Sequence, residues 1–343
     1  MMQYNFYNKL ILEIDANNHK GYIKYFNNEY LRITSNNSRV TKSTPNISVK
    51  IVKNLPKTTK KDIKKSVCYK KLFTYNYVIK NLNSNNVEIY FQSHFIDKIY
   101  MNAIGVFLQA QVIEPVMYLK LLKNDILLMH ASGVEKDNNA YLFPAYGGTG
   151  KTTFSISLLG HGYKLLGDDL LFVDVDNGVV SPYARPMHLF TYNINNLNGA
   201  KVPTKYRVAI YTKNVLRFFL EKILRTEMLI STRVHADEIF DSNPFGKSAE
   251  YNKVFFLVKS GPKTKKVKIS KNNIQKLAVE VAQSADLNNS LKDIMNEKDF
   301  TVVQDLEIKV IKKLLSSLDY LTYLNTRKLD LKNLEQFIKS NMD

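Results

Sequence analysis

The chain has 343 residues, is 45% hydrophobic and 11% aromatic, and carries a formal net charge of +18. That apolar content supplies one large core or two smaller ones and excludes a disordered chain. A single cysteine, Cys68, excludes a disulfide framework and a cysteine-based zinc site within one chain, and suits a reducing compartment.

Lysine far outnumbers arginine, and a solvated basic surface accounts for most of the charge. The lysine runs at Lys57–Lys65 and Lys263–Lys268 lack the aromatic interleaving of a nucleic-acid module, so nucleic acid is not an expected partner. Residues 1–96 predict a β-rich module. Its apolar runs are Leu10–Ile14, Tyr22–Phe26, Ile47–Val52, Phe73–Ile79 and Val87–Phe91, separated by Asn-rich turns such as Asn83–Asn86. The opening Met1-Met2-Gln3-Tyr4-Asn5 has no apolar signal region, which sets a cytoplasmic expectation. Ile104–Leu122 is interrupted by Gln109, Gln111, Glu114, Pro115 and Lys120. It predicts a buried helix restarted at Pro115 rather than a bilayer span, and no membrane partner.

The richest stretch follows. Ile126–Lys136 reads as a strand containing His130, Asp137-Asn138-Asn139 as a turn, and Ala140–Pro144 as a returning strand. Next comes Ala145-Tyr146-Gly147-Gly148-Thr149-Gly150-Lys151-Thr152, of the pattern [AG]-x-x-x-x-G-K-[ST]. Such a loop curls its N–H groups around phosphate oxygens, and the helix predicted from Thr153 adds its positive end. Lys151 can reach β- and γ-phosphates, and the Thr152 hydroxyl can hold Mg²⁺. Nucleotide contacts are therefore expected from Ala145 through Thr153. The stretch Tyr163–Val173 has an apolar strand that ends in Asp168 and Asp169. One strand-end carboxylate can hold Mg²⁺, directly or through water, and its neighbour can accept a proton from an attacking hydroxyl. His130, on a strand beside the one feeding the loop, can approach the γ-phosphate or the metal.

Downstream, Thr204–Arg225 shows helical apolar spacing at Val208, Tyr211, Val215, Phe218, Phe219 and Ile223. Val254–Val258 and Val267–Ile269 read as a hairpin around Ser260-Gly261-Pro262. The tail from Asp305 reads as helix, with a last helix capped by Asp330. Arg185, His188, Arg225, Arg233 and His235 are candidates for gripping an acceptor, Arg185 first among them because it lies just past the carboxylate pair.

The set LLMHASGV, AYLFPAYGGTGKTT and GHGYKLLGDD resembles the catalytic core of the HPr kinase/phosphorylase and ATP-dependent phosphoenolpyruvate carboxykinase superfamily. The segment Val180-Ser181-Pro182-Tyr183-Ala184-Arg185-Pro186 adds a likeness to HPr-kinase-related proteins of peptide-modification and polysaccharide-type gene clusters. The resemblance covers residues 100–200 well, 200–300 weakly, and the first hundred hardly at all. It implies that Gly148, Gly150, Lys151 and Thr152 bind phosphate, that His130 is the active-site histidine, and that Asp168 is the base and Asp169 the metal ligand. Few arginines and a short chain argue against carboxykinase chemistry. No Glu-rich signature follows the loop, so HPr itself is not the expected acceptor.

The expected fold is α/β: a mixed-sheet P-loop core over 97–300, an N-terminal β-rich module over 1–96, and a C-terminal helical segment over 301–343. The expected activity is ATP- and Mg²⁺-dependent phosphotransfer to a serine-like hydroxyl on a peptide, small protein or metabolite. Catalysis would rest on Asp168, His130 and Lys151, with Thr152 and Asp169 on the metal. A nucleotide-dependent ATPase or switch is the alternative, and homo-oligomers are compatible with either.

Overall fold

A computed structural model describes residues 1–17, 19–33, 44–69, 73–95, 97–194, 202–224, 232–240, 243–284, 287–330 and 334–340. The chain is α/β with mixed sheets. It packs as two compact units, residues 1–125 with 286–307 and residues 126–285 with 308–343. Residues 97–125 thus group with the N-terminal segment, whereas the sequence joined them to the nucleotide core.

In the first unit β1 (Met2–Phe6) and β2 (Leu10–Asp15) form an antiparallel hairpin, turned by Tyr7 and Asn8 at positive φ. Helix α1 (Lys20–Tyr30) follows, then β3 (Ile47–Val52), β4 (Ile63–Tyr69), β5 (Phe73–Lys80) and β6 (Val87–Gln92). The sheet order is β1-β2-β3-β6-β5-β4. β2, β3 and β6 alternate buried and half-exposed residues, the period-2 pattern of a sheet with one core face. The predicted strand Tyr22–Phe26 is instead part of α1. Tyr22, Tyr25, Phe26, Glu29 and Tyr30 are its buried residues, and that spacing closes one face of a helix, not of a strand.

The chain continues through α2 (Asp97–Leu108), a π-helical segment (Gln109–Ile113) and α3 (Glu114–Leu122). The widened turn lies just ahead of Pro115, which lacks the N–H that would close on residue 111. By length and composition alone this run qualifies as a membrane span, despite its interruptions. In this fold most of it is buried inside the protein. Gln109 and Glu114 are hydrogen-bonded there. Tyr25 Oη donates to Gln109 Oε1 at 2.7 Å, and Gln109 Nε2 donates to Glu114 Oε1 at 3.0 Å.

The second unit begins with β7 (Ile126–Met129), β8 (Ala131–Lys136), β9 (Asn139–Pro144), α4 (Lys151–Leu159), β10 (Lys164–Gly167), β11 (Leu171–Asp174) and β12 (Val179–Ser181). Next are β13 (Met187–Leu189), the short α5 (Thr191–Ile194), α6 (Thr204–Leu224), β14 (Thr232–Val234), β15 (Ala249–Val258), β16 (Thr264–Lys268) and α7 (Ile274–Gln283). α8 (Leu287–Ile294) belongs to the first unit, and α9 (Glu297–Ser316) runs from the first into the second. β17 (Tyr320–Asn325) and α10 (Leu334–Ser340) complete the second. The sheet path is β10-β8-β9-β15-β12-β11-β7, with β17 also on β15 and β16 on β17, while β13 and β14 pair separately.

Three sequence expectations change here. Ile126–Lys136 is not one strand. It breaks at His130, so that β7 pairs with β11 and β8 with β9. β15 and β16 are not a hairpin, because β17 inserts between them, parallel to β15 and antiparallel to β16. The C-terminal segment is therefore not helical throughout. The β8–β9 turn matches its letters: Asp137 and Asn138 both hold positive φ, as a two-residue hairpin turn requires.

Phe143 of β9 lies at the centre of the core, edge-on to Phe154 of α4 at 4.8 Å and stacked on Phe255 of β15 at 5.9 Å. Burying each such ring stabilises the fold by roughly 2–3 kcal/mol and pins α4 against the sheet. Helix α6 departs from this economy. Ile210 is buried, but Val208, Tyr211, Val215, Phe218, Phe219 and Ile223 are each more than half exposed.

Candidate functional site

Residues 145–150 form the bend between β9 and α4. Ala145 bridges Leu257 in parallel fashion, which fixes where the bend starts. Gly148 and Gly150 hold φ of 68° and 103°, a region closed to most side chains. Gly150 is the N-cap of α4 and leaves the first turn without a side-chain cap. The bend is tied down from within and without. Thr149 Oγ1 donates to the Tyr146 carbonyl at 2.7 Å, and Thr326 Oγ1 donates to the Thr149 carbonyl at 3.0 Å. Lys151 is buried, with Nζ donating to the Ala145 carbonyl at 3.0 Å. Gly147 has open space around it, Tyr146 is partly exposed with its ring edge-on to Phe256, and Thr153 Oγ1 accepts from Asn193 Nδ2.

The carboxylates follow β10. A Cβ on Gly167 would lie 2.3 Å from the Leu170 carbonyl oxygen, so only glycine permits a turn this tight. The turn points the two neighbours into different surroundings. Asp168 is buried. Its Oδ2 accepts from Thr152 Oγ1 at 3.0 Å, and its Oδ1 has no hydrogen-bond partner. Asp169 is 47% exposed, with Oδ1 3.2 Å from His130 Nε2 and Oδ2 accepting from Arg185 Nη2 at 3.1 Å. His130 sits at the break between β7 and β8, and its Nδ1 meets the Ser284 carbonyl at 2.6 Å. A carbonyl only accepts, so Nδ1 carries the proton. The Nε2 turned to Asp169 then either carries a second proton or is free to ligate a cation.

The electrostatics separate the pair. Burial pushes Asp168 up to about 6, the adjacent Asp169 charge adds to this, and Thr152 and Lys151 offset part of it. Burial works against the Asp169 charge too, but His130, Arg185 and Lys151 outweigh it and hold Asp169 well below the usual carboxylate range. Two adjacent carboxyls thus hold their protons over different pH ranges.

The structure therefore brings together the loop, Lys151, Thr152, Asp168, Asp169, His130 and Arg185. It joins the Thr152 hydroxyl to Asp168, whereas the sequence grouped Thr152 with Asp169. Arg185 lies on Asp169 and over the Tyr183 ring at 5.2 Å. His188 and Arg233 stand opposite each other in the β13–β14 ladder. His235 is buried as the N-cap of the turn Ala236–Glu238, its main-chain N–H donating to Glu238 Oε2, which is a structural duty. Arg225 falls outside the described residues. Three neighbours carried no signal in the sequence. Lys259 Nζ is 3.8 Å from where a Cβ on Gly148 would be, Thr326 clamps the bend, and Ser284 orients His130. Each arrives from more than a hundred residues away along the chain.

No group of three or more His, Cys, Asp or Glu residues able to hold a metal occurs among the described residues. A cation here would need other ligands from phosphate and water, which is how Mg²⁺ is usually held. The unpartnered Asp168 Oδ1 beside the Thr152 hydroxyl fits such an ion.

No protein-family model and no curated protein sequence matches the chain. Among solved structures, the Hpr(Ser) kinase/phosphatase from Coxiella burnetii is similar over 41% of this chain and 76% of its own, at 16% identity and a TM-score of 0.21.

Proposed function

We propose that this protein is an ATP- and Mg²⁺-dependent phosphotransferase acting on a serine-like hydroxyl of a peptide, small protein or metabolite. The observation that carries this reading is the split carboxylate pair at the start of α4: a buried Asp168 on Thr152 and a half-open Asp169 on His130 and Arg185. In this reading the 145–153 backbone and the α4 N-terminus take the phosphates. Lys151 leaves the Ala145 carbonyl for them and stabilises charge on the transferred group. Asp168 accepts the proton of the attacking hydroxyl, since a carboxylate near pH 6 is a usable base at neutral pH. Asp169 stays anionic and, with Thr152, holds Mg²⁺, while His130 orients the γ-phosphate region. Mg²⁺ supplies charge neutralisation for the phosphate oxygens.

The Thr152–Asp168 contact favours one variant of this reading, in which Asp168 ligates the ion and Asp169 is the base. The variants differ in one measurable way. Removing a ligand raises the Mg²⁺ concentration needed for activity and is rescued by excess Mg²⁺. Removing the base lowers kcat at every Mg²⁺ concentration.

The test is transfer of label from γ-labelled ATP into a panel of hydroxyl acceptors, comparing wild type with Asp168→Asn. Acceptor-dependent labelling lost in Asp168→Asn is the expected result. Phosphate release at one rate with or without acceptor points to the ATPase or switch instead. Absence of both labelling and nucleotide binding removes the proposal.

A further inference from the structure

Helix α6 exposes what a helix usually buries. At 3.6 residues per turn its exposed residues, from Thr204 to Ile223, spread over roughly half of the helix circumference. That arc holds Leu216 and the six apolar side chains named above, each between 48% and 72% exposed. The opposite side anchors the helix. Ile210 joins the core of Leu189 and Val234, and Tyr206 packs against it. Lys213, Asn214 and Arg217 are half-buried, and Glu221, the only carboxylate of the helix, lies 3.8 Å from Arg217. The fold thus turns polar groups inward and leaves an apolar surface in water, where it stabilises nothing within the chain.

Charge on the open side is all of one sign. Lys205 and Arg207 stand exposed near its start and Lys222 near its end, and no Asp or Glu of the helix shares that side. The complement of such a face is apolar in its middle and anionic around it. An anionic bilayer offers both, since its acyl boundary takes the apolar arc and its headgroups take the cations. Lysine and arginine stems lie along apolar surface while their charged ends reach outward, which suits cations beside buried rings. The width of the arc also fits a flat surface. A partner helix covers a narrow seam, whereas half a circumference sinks as a whole into an interface. A second copy of the chain is the poorer occupant, because two such faces would set these cations against their own kind with no carboxylate to offset them. The net charge of +18 adds a longer-range attraction to the same surface. None of this needs a segment that spans the bilayer.

We propose that α6 is an interfacial helix that docks this protein on an anionic lipid bilayer, with its apolar arc at the headgroup–acyl boundary and Lys205, Arg207 and Lys222 on the lipid phosphates and carboxylates. This docking is independent of the phosphotransferase reading.

The chain has no tryptophan, so Phe218→Trp places a sole indole on the arc. Vesicles of phosphatidylcholine and phosphatidylserine are the probe, and flotation measures binding, with circular dichroism on each variant as the folding control. These vesicles should carry the protein and move the emission of Phe218→Trp to shorter wavelength. Phosphatidylcholine alone should bind it roughly a hundredfold more weakly. Phe218→Ser combined with Phe219→Ser should weaken binding by about tenfold or more. Lys205→Gln, Arg207→Gln and Lys222→Gln together should weaken it by roughly a hundredfold, and high salt should do the same to wild type. Lys265→Gln with Lys266→Gln, on exposed positions of β16, should stay within about twofold of wild type, which separates a docking face from adsorption of a basic protein. Should the serine pair not fold, the three glutamine substitutions and the emission of Phe218→Trp decide. Absence of vesicle binding by the folded protein overturns the proposal, as does equal loss in the β16 variant and the α6 cation variant. Binding without an emission shift overturns it too. A shift that grows with protein concentration in the absence of lipid assigns the face to a second copy and overturns it likewise.

Discussion

Asp168 and Asp169 adjoin in the chain, yet they belong to regions of opposite character. Asp168 closes onto the first turn of α4, where one hydroxyl contacts it and protein surrounds the rest. Asp169 opens toward His130 and Arg185. Burial sets the first carboxylate and neighbouring charge sets the second. One Gly-Asp-Asp turn thereby supplies both a group that can exchange a proton near neutral pH and a group held anionic. Gly167 makes this possible, since the Leu170 carbonyl occupies the place of its Cβ.

The largest expected effect tests whether the two regions differ in chemistry. Asp168→Asn should lower kcat for labelled transfer by roughly 10²–10⁴-fold, with the Mg²⁺ requirement unchanged. An Mg²⁺-rescuable loss would exchange the roles of the two carboxylates.

Stability against pH is the next test, and here the two variants should move in opposite directions. The folded value of Asp168 is raised from 3.8 to about 6. As pH rises through that window the unfolded chain ionises first, so wild-type stability falls and then levels off above about pH 6. Metal-free Asp168→Asn lacks this penalty. Its thermal unfolding should match wild type below about pH 4 and show a gain on the order of 3 kcal/mol above pH 6. Asp169 has a depressed folded value and contributes stability that is present above the unfolded carboxylate value and lost as pH falls. Asp169→Asn should therefore be less stable than wild type at pH 7, and the deficit should shrink in acid. Two variants shifting in the same direction would end the distinction.

Asp169→Asn should also raise the Mg²⁺ concentration for half-maximal activity about tenfold, the effect of losing one ligand whose outer partners are conserved in place. Titrating Mg²⁺ at fixed ATP measures it. The smallest effect lies on the outer face of α6. Phe218→Ser and Phe219→Ser should change thermal stability by no more than about 0.5 kcal/mol, since both rings are already in solvent. A loss of several times that would mean the row is covered.

Much of the carboxylate region was readable from the chain. Strand, bend, Lys151, Thr152 and the Asp pair lie within 31 residues, 139 to 169, so their grouping follows from backbone geometry and spacing. Asp137-Asn138 announced its turn, and the π-helical turn before Pro115 follows from a missing N–H. The misreadings share one cause, which is a pairing or facing decided at a distance. Tyr22–Phe26 has strand-like letters, but its helical repeat extends to Tyr30. The break at His130 depends on β11 claiming one half and β9 the other. β17 separates β15 from β16 from some fifty residues downstream of the latter, and α6 shows the apolar period that was read while burying the other side.

The sequence alone determined the residue types and spacing that a phosphate-handling bend needs, because those constraints act over a few bonds. Tertiary structure decided which carboxylate is buried, which hydroxyl meets it, and how His130 and Arg185 come to flank the other. Those outcomes depend on the shielding and Coulomb fields of groups far apart in the chain, and no local window contains them.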